Sequence, residues 1–414
     1  MNKEVIKNKS KNEVCLHRGQ FIWDVVVFTF SAFGGPQVHV AVMLRDFVKK
    51  RGYLSEKELL ELNALTQILP GPSSTQTLIG LAWKVGGLPI ALLTFLIWIL
   101  PSTIILCLFA IFYSQFKDLT FTKRVLTGVQ PVALGMVAYS IYLFTKNTLN
   151  DKISYLSAFF AAIVAFFIRN AYAFPLLLLV GGLLSSLLYP KIDNTNQQVK
   201  KQLFVNVNKT KLFYFIGILL LFALLGAIIN KASPFSLPIR LFENFYRNGI
   251  LVFGGGQVLI SLMLTEFVEV KHYLLESEFL TGFALQQILP GPTFSFASFV
   301  GAMTMINQGR GILGQIAGSF IAVLGINLPG LILILFIVPF WNDLRKIVQI
   351  KSFLRGINAV AVGFMFATLG LLWQGLDIHW QSMLIVLLTF LLLLFTRVHA
   401  SILIILGIGL GFIL

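Results

Sequence analysis

Gln67-Ile68-Leu69-Pro70-Gly71-Pro72 stands early in the chain, and Gln287-Ile288-Leu289-Pro290-Gly291-Pro292 repeats it residue for residue, 220 positions further on. Each copy lies inside apolar sequence. A Pro-Gly-Pro triplet there breaks a helix: Pro72 has no amide hydrogen and cannot continue a preceding helix, yet suits the first turn of a new one. The residues that follow, Ser73-Ser74-Thr75-Gln76, would then present free backbone N–H groups and hydroxyls at a helix N-terminus, the end that attracts anions. The second copy offers Thr293, Phe294 and Ser295 after Pro292.

The same offset holds around the triplet. Phe33-Gly34-Gly35-Pro36-Gln37-Val38 reappears as Phe253-Gly254-Gly255-Gly256-Gln257-Val258, Met43-Leu44 as Met263-Leu264, and Tyr53-Leu54 as Tyr273-Leu274. Further on the offset becomes 228, pairing Gly128 with Gly356 and Gly135 with Gly363; an eight-residue insertion near Asn307 to Gly314 accounts for the change. Chance does not give matches this dense at a fixed spacing, so the chain is a duplication.

Composition decides the solvent. Of 414 residues, 57% are hydrophobic and only 12% charged, with a mean hydropathy of +0.84. A soluble domain carries about 25% charge. The net charge is +15, but the basic residues sit in short gaps between apolar runs. That is the pattern of loops facing lipid headgroups, not a nucleic-acid surface. Runs such as Leu176-Leu177-Leu178-Leu179-Val180 are apolar on every face, so the spans are helices and not barrel strands. The expected fold is an all-α polytopic membrane protein.

Thirteen membrane segments are expected: 21–44, 59–82, 88–115, 126–145, 153–169 and 171–189 in the first half, an extra span at 212–230, then 247–268, 280–305, 312–340, 356–373, 379–395 and 398–414. The corresponding organisation is a cytoplasmic tail 1–20, a first repeat 21–189, a polar linker 190–211, the central span 212–230 and a second repeat 231–414. Six spans plus one make an odd number, which inverts the second half relative to the first. Loop charge agrees in part. Arg45 to Glu58 carries five Lys and Arg, whereas its partner Thr265 to Glu278 carries one Lys and four Glu. If the Gly-Gly segments re-enter on one side while the rest cross, the halves are parallel instead.

Four interrupted segments in equivalent positions point to a site where the repeats meet; as single features they read as kinks. The candidate binding groups are Gly34, Gly35, Pro36, Gln37, Gln67, Pro70, Gly71, Pro72, Ser73, Thr75 and Gln76, with Gly254, Gly255, Gln257, Gln287, Pro290, Gly291, Pro292 and Thr293 from the second copy. The four duplicated glutamines are expected in buried positions, as oxyanion donors or as interhelical glue. His39 could carry a proton or sit hydrogen-bonded in its helix. Arg45 would attract an anion, and Asp46 or its counterpart Glu266 could titrate; the alternative is interfacial flanks. Lys84 reads as a snorkelling flank, and nothing is assigned to Asp24. Cys15 and Cys107 lie far apart, and the five histidines show no ligand spacing, so neither a disulfide framework nor a metal or other cofactor is expected.

On these residues the chain resembles the chromate ion transporter family in its long, two-domain form. The resemblance runs through Phe33-Gly34-Gly35-Pro36, Arg45-Asp46-Phe47-Val48 and Gln67 to Pro72 with Ser73, Thr75 and Gln76, and it covers both halves. It implies an inner-membrane secondary transporter with antiparallel halves that exports chromate, gives chromate resistance and draws on the proton gradient. Gly256 stands where the first half has Pro36, and Thr265 where it has Arg45, so the halves are expected to contribute unequally. Expected partners are chromate or a sulfate-like oxyanion, protons and the lipid bilayer, with a homodimer left open and no nucleic acid. The same donors fit sulfate, and a passive anion channel is the third reading. An enzyme would need a nucleophile–base set or metal cluster in the apolar region, and the sequence offers none; nor does it carry a nucleotide-binding P-loop.

Overall fold

The computed structural model describes residues 18–33, 35–168, 173–188, 217, 221–222, 236–253, 256–338, 349–374, 379–396 and 398–413. The expected linker 190–211 and almost all of the central span 212–230 lie outside them, as do Gly34, Gly254 and Gly255. Every regular element among the described residues is helical.

The first half begins with α1 (18–31) and α2 (Pro36–Met43), which runs on into a π-helical turn, Leu44–Lys50. Then come α3 (Glu56–Ile68), α4 (Ser73–Phe116), α5 (Thr120–Thr148), α6 (Lys152–Phe167) and α7 (Ala173–Leu188). The second half repeats this as α8 (Ser236–Leu251), α9 (Gly256–Met263) with its π-helical turn Leu264–Val270, α10 (Glu276–Gln287), α11 (Phe296–Asn307), α12 (Gly311–Ile337), α13 (Gln349–Gln374), α14 (Trp380–Phe395) and α15 (Ala400–Ile413). The two π-helical turns fall at the same repeat position. α4 is itself broken at Gly87, whose φ of 70° and ψ of −161° interrupt the helix. Its parts before and after Gly87 therefore correspond to α11 and α12.

The stretches 21–44 and 59–82, each one segment in the sequence reading, are each two short helices folded back on one another. Asp24, early in α1, accepts hydrogen bonds from Arg51 at 2.9 Å and Tyr53 at 2.7 Å, both just past the end of α2. α1 and α2 are thus an antiparallel hairpin. α3 and the first part of α4 form a second hairpin. The Thr66 and Thr77 hydroxyls lie 2.8 Å apart near its tip, and Glu58 pairs with Lys84 at 3.1 Å near its open end. Ser55 caps α3 in a capping box with Glu58. The arms are too short to cross: thirteen residues of α3 rise about 20 Å, against a hydrocarbon thickness of about 30 Å. Four helices among the described residues are long and apolar enough to cross a bilayer, at 73–116, 120–148, 311–337 and 353–374, and four more apolar helices are shorter. Thirteen crossings are not established by these helices.

Small residues let the remaining helices approach closely, as expected where packing rather than water drives association. A Cβ on Gly128 in α5 would lie 1.9 Å from the Gly407 carbonyl oxygen of α15. Gly356 in α13 sits equally tightly on α7, its Cβ position 2.0 Å from the Gly181 oxygen. These two crossings occupy equivalent places in the repeat.

Candidate functional site at the hairpin tips

The Pro-Gly-Pro turns fall where the sequence put them. α3 ends at Ile68 and α4 starts at Ser73 behind Pro72; in the second half a 3-10 turn, Thr293–Ser295, follows Pro292. Gly71 and Gly291 take φ values of 111° and 115°, a region that L side chains rarely enter. Gly35, with φ 84°, caps α2 ahead of Pro36 at its first turn.

The tips do not project independently. The Gly71 amide donates to the Val252 carbonyl at 2.8 Å, and the Gly291 amide donates to the Ala32 carbonyl at 3.0 Å. Ala32 and Val252 are repeat partners, each lying just before its own glycine pair. Each Pro-Gly-Pro turn therefore docks on the end of the other half's first hairpin arm, and the two contacts are related by the repeat. The second pair of walls is also reciprocal: Gly71 abuts Gly330 of α12, and Gly291 abuts Ser102 of α4, 228 positions earlier.

Around this junction the two halves differ chemically. On the first-half side, His39 is fully buried between Phe28 and Trp98, its Nδ1 3.2 Å from the Ser74 hydroxyl and its Nε2 without a hydrogen-bond partner. Trp98 donates through Nε1 to the Thr75 hydroxyl at 3.0 Å. Gln76 is fully buried and donates through Nε2 to the Pro70 and Gly330 carbonyls, while its Oε1 has no partner. On the second-half side the equivalent positions hold Leu259, Phe294 and Ile326, with Ser295 in place of Thr75. Ser295 shares a 2.6 Å hydrogen bond with Ser102, and Ser298 bonds Ser319 and the Thr103 carbonyl. Pro72 and Ser73 are buried with the tip, whereas Pro70, Pro290 and Thr293 are half-buried.

Several expected residues lie elsewhere or are arranged differently. Gln67 is exposed and Gln287 half-buried at the ends of α3 and α10, so the expectation of buried glutamines fails for this pair. The glutamines buried among the described residues are instead Gln76, Gln286, which is 6% exposed, and Gln315. The side chains of Gln37 and Gln257 are outside the described residues. Arg45 and Asp46 sit at the open end of the first hairpin, paired with each other at 2.7 Å, and Lys50 also reaches Asp46. The hydrogen bond from Arg45 holds the Asp46 carboxyl below its usual range. Glu266 is 4% exposed and bound to Arg247. The sequence reading named Ser295 behind Pro292 but missed Trp98, Ser102 and Gly330. Only long-range packing brings them to the tips; nothing local marks them except Gly330's place behind Pro329.

Replacing His39 by leucine, the residue at the matching position in the second half, isolates its polar contribution. A buried nitrogen without a partner stabilises little, so the folded protein should keep its melting temperature within a few degrees, about 0–1 kcal/mol. Loss of activity at unchanged stability would assign His39 to the site. A large loss of thermal stability would instead assign His39 to packing.

Paired broken-helix hairpins that meet inside a duplicated bundle of apolar helices are the architecture of a membrane transporter. Residues 19–186 and 239–412 each match the chromate transporter family, and the chain belongs to that family. It is similar to a probable chromate transport protein of Synechococcus elongatus, with 25% identity over 80% of this chain and 78% of the relative. The chromate transport protein of Cupriavidus metallidurans is 25% identical over 87% of this chain and 84% of its own length. An uncharacterised transporter of Methanocaldococcus jannaschii is 24% identical over 92% and 91%. No solved structure matches the chain.

Proposed function

We propose that the protein exports chromate, a tetrahedral dianion, across the plasma membrane in exchange for protons, by alternating access between two inverted repeats, 21–189 and 231–414. The observation that carries this reading is the reciprocal docking of Gly71 on Val252 and Gly291 on Ala32. In each contact a backbone amide freed by a broken helix is satisfied by one carbonyl of the other half. Such a bond is worth only about 0.5–1.5 kcal/mol net, so an oxyanion can take the amide over, and releasing one docked turn opens one side while the other stays closed.

The chemistry of the junction suits a dianion that must also leave. Amides at the start of α4, the hydroxyls of Ser73, Ser74 and Thr75, and the indole of Trp98 are neutral donors, and a helix N-terminus adds about half a positive charge. No Lys or Arg among the described residues is fully buried, so no fixed cation holds the anion in place. Chromate is favoured by the family and by the names of the two chromate-transporting relatives; sulfate presents the same tetrahedron of oxygens and is the competing substrate.

Inversion has support in the contacts. The hairpins of the first half open at the end marked by Asp24, Arg51 and Lys84. The second part of α4 runs from there past the tips to Lys117, which pairs with Glu278 at 2.8 Å. Glu278 lies at the open end of the second half's hairpins, so the two sets enter from opposite ends. Arg355, early in α13, pairs with Asp151 at the start of α6, as the same trace requires.

The test is chromate accumulation in cells with and without the protein, and with and without a proton uncoupler. Expressing cells should hold less chromate, and the uncoupler should remove the difference; equal accumulation in both kinds of cell refutes export. Excess sulfate restoring chromate accumulation would assign sulfate as a substrate.

A further inference from the structure

The second half holds a buried charge cluster that the first half lacks. Arg247 of α8 bonds the Glu243 carboxylate one turn before it and reaches Glu266 of the π-helical turn at 2.8 Å. Glu243 and Glu266 are 8% and 4% exposed. At the equivalent first-half positions stand Trp23, Val27 and Asp46, and Asp46 pairs with exposed lysine and arginine instead. Arg247 and Glu266 border a small cavity that Asn248, Thr265 and Phe174 also line. Beside it Asn244, 2% exposed, accepts from Arg247 through Oδ1 while its Nδ2 has no partner. The two carboxylates share one closely bonded guanidinium, with Lys271 the more distant partner of Glu266, and burying such charges is costly unless they are well paired. The other charged or titratable groups around it are Lys271, 3.9 Å from Glu266, with Tyr273 in the same turn and Arg240 on α8; α7 contributes Phe174.

We propose that Glu243, Arg247 and Glu266 form a proton-binding site, in which a proton entering through the cavity is taken up by one of the two carboxylates. That carboxylate becomes a neutral acid and gives up its charged bond to Arg247, which keeps its pairing with the other. Because Val252 directly follows α8, the change of partner bears directly on the docking of Gly71. The inference deepens the proton-coupled part of the proposed function and rests on it.

Glu243→Gln and Glu266→Gln each remove one carboxylate and leave Arg247 paired with the other. Infrared difference spectra of the purified protein, titrated with acid, should show in the wild type the carbonyl stretch of a newly protonated buried carboxyl. Each variant should lose that band, since its remaining carboxylate stays paired. In proteoliposomes, chromate accumulation driven by an imposed pH gradient should fall by about tenfold or more in either variant. A band unchanged in both variants, an unchanged response to the gradient, or failure of both variants to fold overturns the proton site and makes the cluster a structural ion pair. A wild-type protein that moves no chromate refutes the transport reading separately, while the infrared band still reports on the site.

Discussion

Gly71→Ala should cut chromate transport about tenfold or more in a protein that still reaches the membrane. Two effects combine. The residue sits at φ 111°, where a side chain costs about 1–3 kcal/mol. Its new Cβ would stand 3.1 Å from the Gly330 Cα and 3.3 Å from the Gln76 amide nitrogen. Backbone on one side and an amide held by two hydrogen bonds on the other must give by a few tenths of an ångström, which weakens the seating of the turn and with it the Gly71–Val252 bond. Transport should drop by on the order of tenfold or more, the consequence of shifting a two-state equilibrium by about 1.4 kcal/mol. Gly291→Ala should act similarly through Ser102, whose Oγ stands 3.1 Å from the added Cβ. Gly35→Ala separates the causes: it shares the positive φ but its Cβ would meet nothing within 4 Å. If Gly35→Ala and Gly71→Ala lose transport equally, local strain and not docking explains the result.

The largest effect on stability is expected at Gly128. Here the obstacle is backbone, with a Cβ placed 1.9 Å from the Gly407 oxygen and 2.7 Å from the Gly411 nitrogen. In Gly128→Val, α5 and α15 must separate along their whole contact. Overpacking of this kind costs about 1–3 kcal/mol and occasionally more, and most of a typical domain's margin of about 5–15 kcal/mol is at risk when two helices part. Size-exclusion profiles after detergent extraction should show aggregated or absent protein. Gly409→Ala, two residues beyond Gly407 on α15 and facing open space, should melt like the wild type. A monodisperse Gly128→Val with an unchanged melting temperature would show that the crossing is looser than its geometry implies.

The sequence by itself determined the solvent, the duplication and the points of breakage. Those are local or additive properties. A helix cannot run through Pro70-Gly71-Pro72, 12% charge cannot cover a soluble surface, and identical motifs at one spacing need no structure to be seen. The family likeness followed from the same motifs. What the tertiary structure decided is which groups face the breaks. Gln67 stands within the repeated motif yet is exposed, whereas Gln76, a turn into α4, is buried against Gly330 from the other half. Arg45 and Glu266 are adjacent to repeat partners, yet one lies in the open and the other in a buried cluster, because Arg247 occupies a position where the first half has valine. Whether 21–44 crosses or turns back was equally undecidable from hydropathy, since both arms of a hairpin are as apolar as a span. The hydrogen bonds that Asp24 accepts from Arg51 and Tyr53 fold α1 and α2 back on one another, and such contacts between residues distant in the chain depend on how helices pack and not on what any single helix contains.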